Sequence, residues 1–308
     1  MDLGPVSASP FDGLENEAPV HDSTIPWTRV HSAVVSRFVV VNSTRIHCKE
    51  TGAAAPGPLL LMLHGWAGAA ADWEPLLAAL PDRIHAIAVD LPGCGLSEKP
   101  DAAYDMPWFL DMLHGLCAAF QAKQVVLAGH SMGGQIAVHF ASRYPDMVEK
   151  LILIDPYGLK GEEGGLRALA HLGPVVNLGF MLNTRFFIEW AMRANVLYHS
   201  PPESLRIAVD STAVNILGRD GARAIARITR RVIGRAYVDA LLPGIFQETL
   251  VLWGDHDRLL PPHWARAFAS RLPRASLRIV ADAGHMPMFE RPAVVAEMIA
   301  QFVSGYPM

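Results

Sequence analysis

A serine flanked by glycines stands between an apolar run and a helical pattern. The sequence GHSMG, residues 129–133, directly follows the run QVVLA. A strand that turns abruptly into a helix forces the residue between them into a strained backbone conformation, so the positions two residues away must be small. Gly129 and Gly133 meet this requirement. Ser131 is therefore predicted to be a nucleophile at the carboxyl end of a strand, where the helix N-terminus favours negative charge.

A serine hydroxyl needs a base to accept its proton, and the base needs a carboxylate to orient it. Among the 13 histidines, His285 is the best candidate for the base, because it stands in a loop between the last predicted strand and the last predicted helix. Asp255 and Asp257 both follow the next-to-last strand; we favour Asp257, because Asp255 is better placed to form the turn itself. Asp155, which follows an earlier strand, is an alternative position for the acid or a turn residue.

Two backbone N–H groups are needed to stabilise the oxyanion that acyl transfer creates. One is expected from Met132, directly after the nucleophile. The other is expected from Trp66, in the loop after residues 59–63, where Gly65 permits a tight turn. His64 in the same loop is interpreted as a structural histidine that bonds to the backbone, and no proton-transfer role is assigned to it.

Secondary-structure elements must bring these residues together in the fold. From residue 36 onward, apolar runs alternate with helical patterns, which predicts an α/β fold with a mostly parallel sheet and helices on both faces. The eight predicted strands are residues 37–41, 44–50, 59–63, 84–90, 124–129, 150–155, 249–253 and 276–280, and the first two form a hairpin. The predicted helices are residues 72–80, 107–120, 132–143, 262–272 and 292–303.

Two segments depart from this alternation. Residues 1–26 have no basic start and no apolar run, so they are predicted to be a flexible leader rather than a signal peptide. Residues 157–246 have a helical pattern broken by prolines, which predicts a cap inserted over one end of the sheet. The core is then expected to consist of residues 27–156 and 247–308.

Composition and charge exclude several classes of protein. Hydrophobic residues make up 51% of the 308 residues and charged residues 18%, so a substantial core is expected. The formal net charge of −4 gives no reason to expect a nucleic-acid partner. Three cysteines at irregular spacing, Cys48, Cys94 and Cys117, favour neither a disulfide framework nor a zinc ribbon. They fit a reducing compartment, so a cytoplasmic location is expected.

The chain resembles the α/β-hydrolase fold family over residues 34–303. Five segments carry the resemblance, in the family's order: residues 63–66, 90–97, 129–134, 253–257 and 284–285. The chain order Ser131, Asp257, His285 is the order of that family's triad. The elbow and the helical insertion are most similar to those of carboxylesterases and monoacylglycerol-type lipases. This resemblance implies a serine esterase that acts on a small-molecule or lipid ester through an acyl-enzyme, with no metal and no organic cofactor.

Other reactions occur on this fold, and the residues at the site decide among them. Haloalkane dehalogenases and epoxide hydrolases have aspartate at the elbow, so Ser131 argues against both. Carbon–carbon hydrolases of ring-cleavage products use serine, but they usually have asparagine before it and tryptophan after the catalytic histidine. This chain has His130 and Met286 there. A cofactor-free haloperoxidase and an acyltransferase stay open, whereas a non-catalytic binding protein is disfavoured because a candidate for each triad member is present.

The insertion carries two further patterns. Its apolar stretches, residues 175–182 and 186–188, are expected either to line a pocket for a hydrophobic acyl group or to form the insertion's own core. Five arginines recur every four residues, which predicts either a solvated helix face or peripheral contact with an anionic membrane surface. These arginines are Arg219, Arg223, Arg227, Arg231 and Arg235.

Overall fold

A computed structural model describes residues 34–53, 55–161, 185–198 and 202–305. Eight strands lie in these ranges, and their bounds agree with the predicted strands to within about two residues. They are β1 (Val35–Val41), β2 (Thr44–Thr51), β3 (Leu59–Leu63), β4 (Ala86–Val89), β5 (Val125–His130), β6 (Val148–Ile154), β7 (Glu248–Gly254) and β8 (Ala275–Val280).

The strands form one mostly parallel sheet. Its order is β1-β2-β4-β3-β5-β6-β7-β8. The pairs β1–β2 and β2–β4 are antiparallel, and the other five pairs are parallel. The carboxyl ends of β3, β5, β6, β7 and β8 therefore share one edge, and all the predicted site residues follow these strands. The predicted fold class is confirmed.

Helices connect and cover the strands. In the described ranges they are α1 (Glu74–Ala79), α2 (Met106–Ala119), α3 (Met132–Arg143), α4 (Arg185–Ala191), α5 (Pro202–Ile216), α6 (Arg219–Arg231), α7 (His263–Ala269), α8 (Pro287–Glu290) and α9 (Pro292–Ser304). Short 3₁₀ helices span Ala70–Trp73, Pro145–Met147 and Leu242–Gly244, and a π-helix spans Met192–Val196.

Apolar cores lie on both faces of the sheet. Alternate residues of β3 belong to different clusters: Leu59, Leu61 and Leu63 pack in one, and Leu60 and Met62 pack in the other. All five β3 side chains are buried, as expected for a strand with helices on both sides. The sheet edge that carries the site is thus built from strands that are fixed by packing on both faces.

The described part of the insertion is helical. Its helices are α4, the π-helix, α5, α6 and the 3₁₀ helix Leu242–Gly244, and turns follow α6. The apolar stretch 175–182 and the predicted leader, residues 1–26, lie outside the described residues, and the boundaries of leader, core and cap stay predictions. In the second apolar stretch, Phe186 is 80% exposed whereas Ile188 is buried.

The prediction that all five arginines lie on one helix is wrong. Helix α6 ends at Arg231 and is followed by turns, with Gly234 in the left-handed region at φ 70°. Arg235 therefore lies beyond the helix, and the helical stripe contains four of the five arginines. No helix in the described ranges is long and apolar enough to cross a bilayer.

Candidate active site

The turn between β5 and α3 holds Ser131 in a strained conformation. Its φ of 51° and ψ of −116° lie in a region that side chains with a Cβ disfavour. The Ser131 N–H donates to the Ile154 carbonyl at 3.0 Å, which ties the turn to β6. A Cβ added to Gly129 would lie 2.6 Å from the Gly134 nitrogen, and one added to Gly133 would lie 2.7 Å from the His64 carbonyl oxygen. The turn therefore requires glycine at 129 and 133.

The structure brings His285 against Asp257. His285 Nδ1 lies 2.7 Å from Asp257 Oδ2, and both side chains are almost fully buried. Since a carboxylate only accepts hydrogen bonds, Nδ1 carries the proton and Nε2 is left as the basic nitrogen. Asp257 Oδ1 accepts the backbone N–H groups of Leu259 and Leu260, each at 2.8 Å. The second candidate, Asp255, instead contacts His256 Nδ1 at 2.6 Å.

His130, directly before Ser131, ties the histidine loop to the elbow. Its Nε2–H donates to the His285 carbonyl at 2.7 Å, and the two imidazole centroids are 4.8 Å apart. The His285 N–H in turn donates to the Val196 carbonyl of the cap at 2.7 Å. Burial, with a smaller effect from His285, lowers the pKa of His130 well below its ordinary value. His130 is thus neutral and structural, a role the sequence analysis missed.

The loop after β3 lies beside Ser131. A Cβ added to Gly65 would lie 3.2 Å from the Ser131 Cβ. His64 Nδ1–H donates to the Gly65 carbonyl at 2.7 Å, and His64 Nε2 accepts the Leu91 N–H at 3.0 Å. Burial lowers the pKa of His64, so the ring is neutral. Because the peptide is trans, a fixed Gly65 carbonyl also fixes the direction of the Trp66 N–H.

Asp155 is the third ionisable group at the site. It is fully buried at φ 41°, and its Oδ1 accepts the Gly254 N–H at 3.0 Å. One oxygen each of Asp155 and Asp257 and one ring nitrogen of His285 lie within 4.8 Å of one another. Burial, and then the negative charge of Asp257, raise the pKa of Asp155 well above its ordinary value. This shift favours the protonated form of Asp155.

The three groups are types that bind metals, but their arrangement does not fit a cation. The His285–Asp257 hydrogen bond already uses one atom of each residue. The cluster is better suited to moving a proton than to holding a metal.

The cap reaches the loops of the site through hydrogen bonds. Trp66 Nε1–H donates to Thr229 Oγ1 of α6 at 2.8 Å. Glu290 of α8 accepts the Tyr198 N–H of the cap at 2.7 Å and the Gly284 N–H of the histidine loop at 2.9 Å. The loops that carry Trp66 and His285 are thus both bonded to the cap.

Comparisons with known proteins agree with this architecture. A sequence model of the alpha/beta hydrolase fold matches residues 58–292. The chain is 31% identical over 281 residues to 2-(acetamidomethylene)succinate hydrolase of Mesorhizobium japonicum, covering 88% of this chain and 96% of that protein. It is 28% identical over 279 residues to 2-hydroxymuconate semialdehyde hydrolase of Pseudomonas sp. (strain CF600), covering 89% and 95%.

The chain is also similar to a solved structure. The crystal structure of a membrane phospholipase A, described as a bacterial virulence factor, superposes with a TM-score of 0.76 at 30% identity, covering 89% of this chain and 86% of that one. The family match covers most of the chain, and the sheet and the elbow are those expected of the fold. The chain therefore belongs to the α/β-hydrolase fold family and is a hydrolase.

Proposed function

We propose that this protein is a serine hydrolase that cleaves carboxylic esters through an acyl-enzyme intermediate. Ser131 is the nucleophile, His285 the general base and acid, and Asp257 the carboxylate that orients the imidazole. The observation that carries the proposal is the buried 2.7 Å hydrogen bond between His285 and Asp257, in a loop tied by His130 to the strained turn of Ser131. The similarity to a phospholipase A supports an ester as substrate.

In the first half of the reaction, Ser131 Oγ attacks the ester carbonyl carbon while His285 Nε2 accepts the hydroxyl proton. The imidazolium that forms is stabilised by the Asp257 carboxylate, which is itself held by two backbone N–H groups. The carbonyl oxygen becomes an oxyanion and accepts hydrogen bonds from the backbone N–H groups of Trp66 and Met132. Preorganised donors of this kind lower the barrier because they meet charge that develops only in the transition state.

The intermediate then collapses to the acyl-enzyme. The ester C–O bond breaks, and His285 gives its proton to the leaving alcohol. In the second half, water attacks the acyl carbon, His285 accepts a proton from that water, and the same N–H groups stabilise the new oxyanion. Collapse releases the acid, and His285 returns the proton to Ser131 Oγ.

The direct test is the Ser131→Ala variant. Hydrolysis of p-nitrophenyl butyrate should fall by at least about 10³-fold, because removing a triad nucleophile costs several orders of magnitude. Ser142→Ala is the matched control, since Ser142 is an exposed residue of the same helix, and it should keep the wild-type rate. A Ser131→Ala variant that retains more than about a tenth of the rate would refute the assignment.

Labelling by a fluorophosphonate probe tests the nucleophile independently. The wild-type protein should be labelled and the Ser131→Ala variant should not, because the probe forms a stable bond with an activated serine. A folded wild-type protein without any labelling would favour a non-catalytic binding protein that retains the fold.

A carbon–carbon bond hydrolase is the second candidate, and the similarity to 2-hydroxymuconate semialdehyde hydrolase favours it. The same three side chains would serve that reaction, whereas His130 and Met286 depart from its usual pattern. Rates on 2-hydroxymuconate semialdehyde and on a series of p-nitrophenyl esters from acetate to palmitate separate the two. A kcat/KM for the semialdehyde above that of the best ester would replace the esterase proposal. Product analysis with added alcohol would detect an acyltransferase, and a halogenation assay would detect a haloperoxidase.

We further propose that α6 contacts anionic membrane surfaces, where a lipid ester would be met. Its apolar residues Ile225 and Ile228 are buried against the core, so the arginines occupy the opposite side. Arg219, Arg223, Arg230 and Arg231 are exposed on the helix. Two arginines are ion-paired, Arg223 with Asp220 at 2.7 Å and Arg227 with Asp101. These ion pairs therefore leave α6 with less unpaired positive charge for binding a membrane than the arginine pattern of the sequence indicates.

A further inference from the structure

The buried side chain of Asn215, on α5 of the cap, is inserted between two loops of the core. Its Nδ2 donates to the carbonyl oxygens of Ala67 at 2.9 Å and Gly68 at 2.8 Å, and it lies 3.0 Å from the Ser211 carbonyl. Its Oδ1 accepts the Gly95 N–H at 2.6 Å. Asn215 has no exposed surface, so its polar atoms are matched by backbone groups alone.

Asn215 holds a backbone segment that is conformationally strained. Ala67 has a φ of 55°, in the left-handed region that residues with a Cβ disfavour. Asn215 itself is held in place by close packing, because a Cβ added to Gly221 of α6 would lie 3.1 Å from its carbonyl carbon. A fixed donor on the cap therefore faces a strained turn on the core.

This turn directly follows Trp66, whose backbone N–H is the proposed oxyanion donor. On one side of Trp66, His64 holds the Gly65 carbonyl at 2.7 Å. On the other side, Asn215 holds the Ala67 carbonyl at 2.9 Å. The core thus fixes the peptide that carries the Trp66 N–H, and the cap fixes the peptide between Ala67 and Gly68, one residue farther along the loop.

We propose that Asn215 is a positioning residue that the cap supplies to the oxyanion loop. By bonding the carbonyls of Ala67 and Gly68, it keeps the Trp66 N–H directed at the oxygen on which negative charge develops. This inference rests on the proposed function, since it assigns Asn215 to that oxyanion site. Its consequence is that the cap completes the catalytic machinery in addition to covering it.

The test compares Asn215→Asp and Asn215→Ala with the wild-type protein. Asn215→Asp keeps the size and the acceptor for Gly95, but it places an oxygen where the donor was. For both variants, kcat on p-nitrophenyl butyrate should fall at least about tenfold, and KM should change less than about threefold, because the donor acts on the transition state. Inhibition by a trifluoromethyl ketone, whose serine adduct carries an oxyanion, should weaken in parallel with kcat/KM.

Val209→Ala is the matched control. Val209 lies on the same helix, is 3% exposed, and packs in the apolar core. This variant should lose stability through the cavity that it creates, yet keep kcat and ketone affinity within about twofold of wild type. All kinetics are measured below the onset of thermal unfolding of each variant. A loss of oxyanion stabilisation is then separated from a general loosening of the cap.

The outcomes are distinguishable from failure of the proposed function. Wild-type protein that neither hydrolyses esters nor reacts with a fluorophosphonate would refute that function whatever Asn215 does. Active wild-type protein, with folded Asn215 variants whose kcat and ketone affinity stay within about twofold of it, would overturn only the present inference. If Asn215→Asp does not fold, Asn215→Ala decides the matter, because it removes the donor without burying a charge.

Discussion

Asp155 and Asp257 place two carboxyl groups beside one imidazole, and their surroundings give them different roles. Asp257 accepts hydrogen bonds from His285 and from the N–H groups of Leu259 and Leu260, so both of its oxygens act as acceptors. The described residues give Asp155 one backbone donor, Gly254, at 3.0 Å. Full burial and the neighbouring negative charge raise the pKa of Asp155, which favours its protonated form. A carboxyl that keeps its proton cannot stabilise the imidazolium of His285.

This difference predicts opposite effects of two identical substitutions. At pH 7.5, Asp155→Asn should retain at least about a third of kcat/KM, because an amide resembles a protonated carboxyl in shape and charge. Asp257→Asn should lose at least about 10³-fold, since the amide cannot hold the imidazole in the active tautomer. Steady-state kinetics on p-nitrophenyl butyrate measure both. An equal loss in the two variants would mean that Asp155 is charged and shares the role of Asp257.

The sequence indicates the residues of the proposed triad, but it does not indicate the residues that hold them. Ser131, Asp257 and His285 each follow a strand of the parallel sheet, and their chain order is informative by itself. His130 and Asn215 were missed because their partners are backbone carbonyls that lie 155 and 148 residues away, respectively. Any residue has a carbonyl, so such contacts leave no trace in residue type or spacing. They depend on how the cap and the loops pack.

At the scale of elements, a buried acid joins the cap to the core. Asp72, in the 3₁₀ helix Ala70–Trp73, accepts the Ser211 hydroxyl of α5 at 2.5 Å and the Ala69 N–H at 3.0 Å. Burial is the largest influence and raises the pKa of Asp72 to about 6, with a smaller contribution from Asp90. The two hydrogen bonds oppose this shift without cancelling it.

Because the pKa of Asp72 is raised in the folded protein, its contribution to the free energy of unfolding depends on pH in a defined direction. The folded protein binds the Asp72 proton at a pKa of about 6, whereas the unfolded chain binds it near the ordinary value of 3.8. Stability from Asp72 therefore rises as the pH falls from 7.5 through 6 towards 4, by up to about 3 kcal/mol, because each pKa unit is about 1.4 kcal/mol. This contribution is lost again as the pH rises through the folded pKa.

The Asp72→Asn variant isolates this contribution, because its side chain does not titrate. The free energy of unfolding of the wild type, minus that of the variant, should increase by up to about 3 kcal/mol between pH 7.5 and pH 4. Urea unfolding of both proteins at both pH values measures the difference, and other titrating groups cancel in it. A difference that is constant with pH would show that Asp72 has the same pKa in the folded protein and in the unfolded chain.

Regular elements were predictable where one pattern dominated. Helix α3 has the predicted bounds, 132–143, because it begins at the elbow and most of its residues are buried. The cap was harder, because the ends of its helices are set by packing. The π-helix Met192–Val196 and the early end of α6 at Arg231 have no periodic signature in the sequence. The prediction that Arg235 lies on this helix was therefore wrong.

At the scale of the whole molecule, the sequence predicted the fold but not the substrate. The order of buried strands and the elbow together allow few topologies, so eight strands in a mostly parallel sheet followed. An apolar stretch in the cap has the same composition whether it lines a pocket or packs on its own helices. The structure has both environments in one stretch, since Phe186 is exposed and Ile188 is buried. Substrate preference depends on this three-dimensional arrangement.

The charge distribution of the molecule leads to the last prediction. The chain has a net charge of −4, yet α6 carries exposed arginines on one side. Vesicles with about 30% anionic lipid should bind the wild-type protein at low salt and release it near 0.5 M salt, because exposed charges are screened within about 10 Å at 0.1 M salt. Arg219→Gln combined with Arg230→Gln and Arg231→Gln should weaken binding at least about tenfold, since each basic residue near such a surface contributes about 1 kcal/mol.

The matched control removes the same charge elsewhere, through the substitutions Arg83→Gln, Arg271→Gln and Arg274→Gln at exposed positions of the core. It should bind vesicles within about threefold of wild type if the contact is local to α6, and as weakly as the α6 variant if only net charge matters. Co-sedimentation measures the bound fraction for all three proteins. Both variants should hydrolyse p-nitrophenyl butyrate at the wild-type rate, because a soluble ester needs no membrane. Binding that is indifferent to anionic lipid and to salt would leave α6 as an ordinary solvated face.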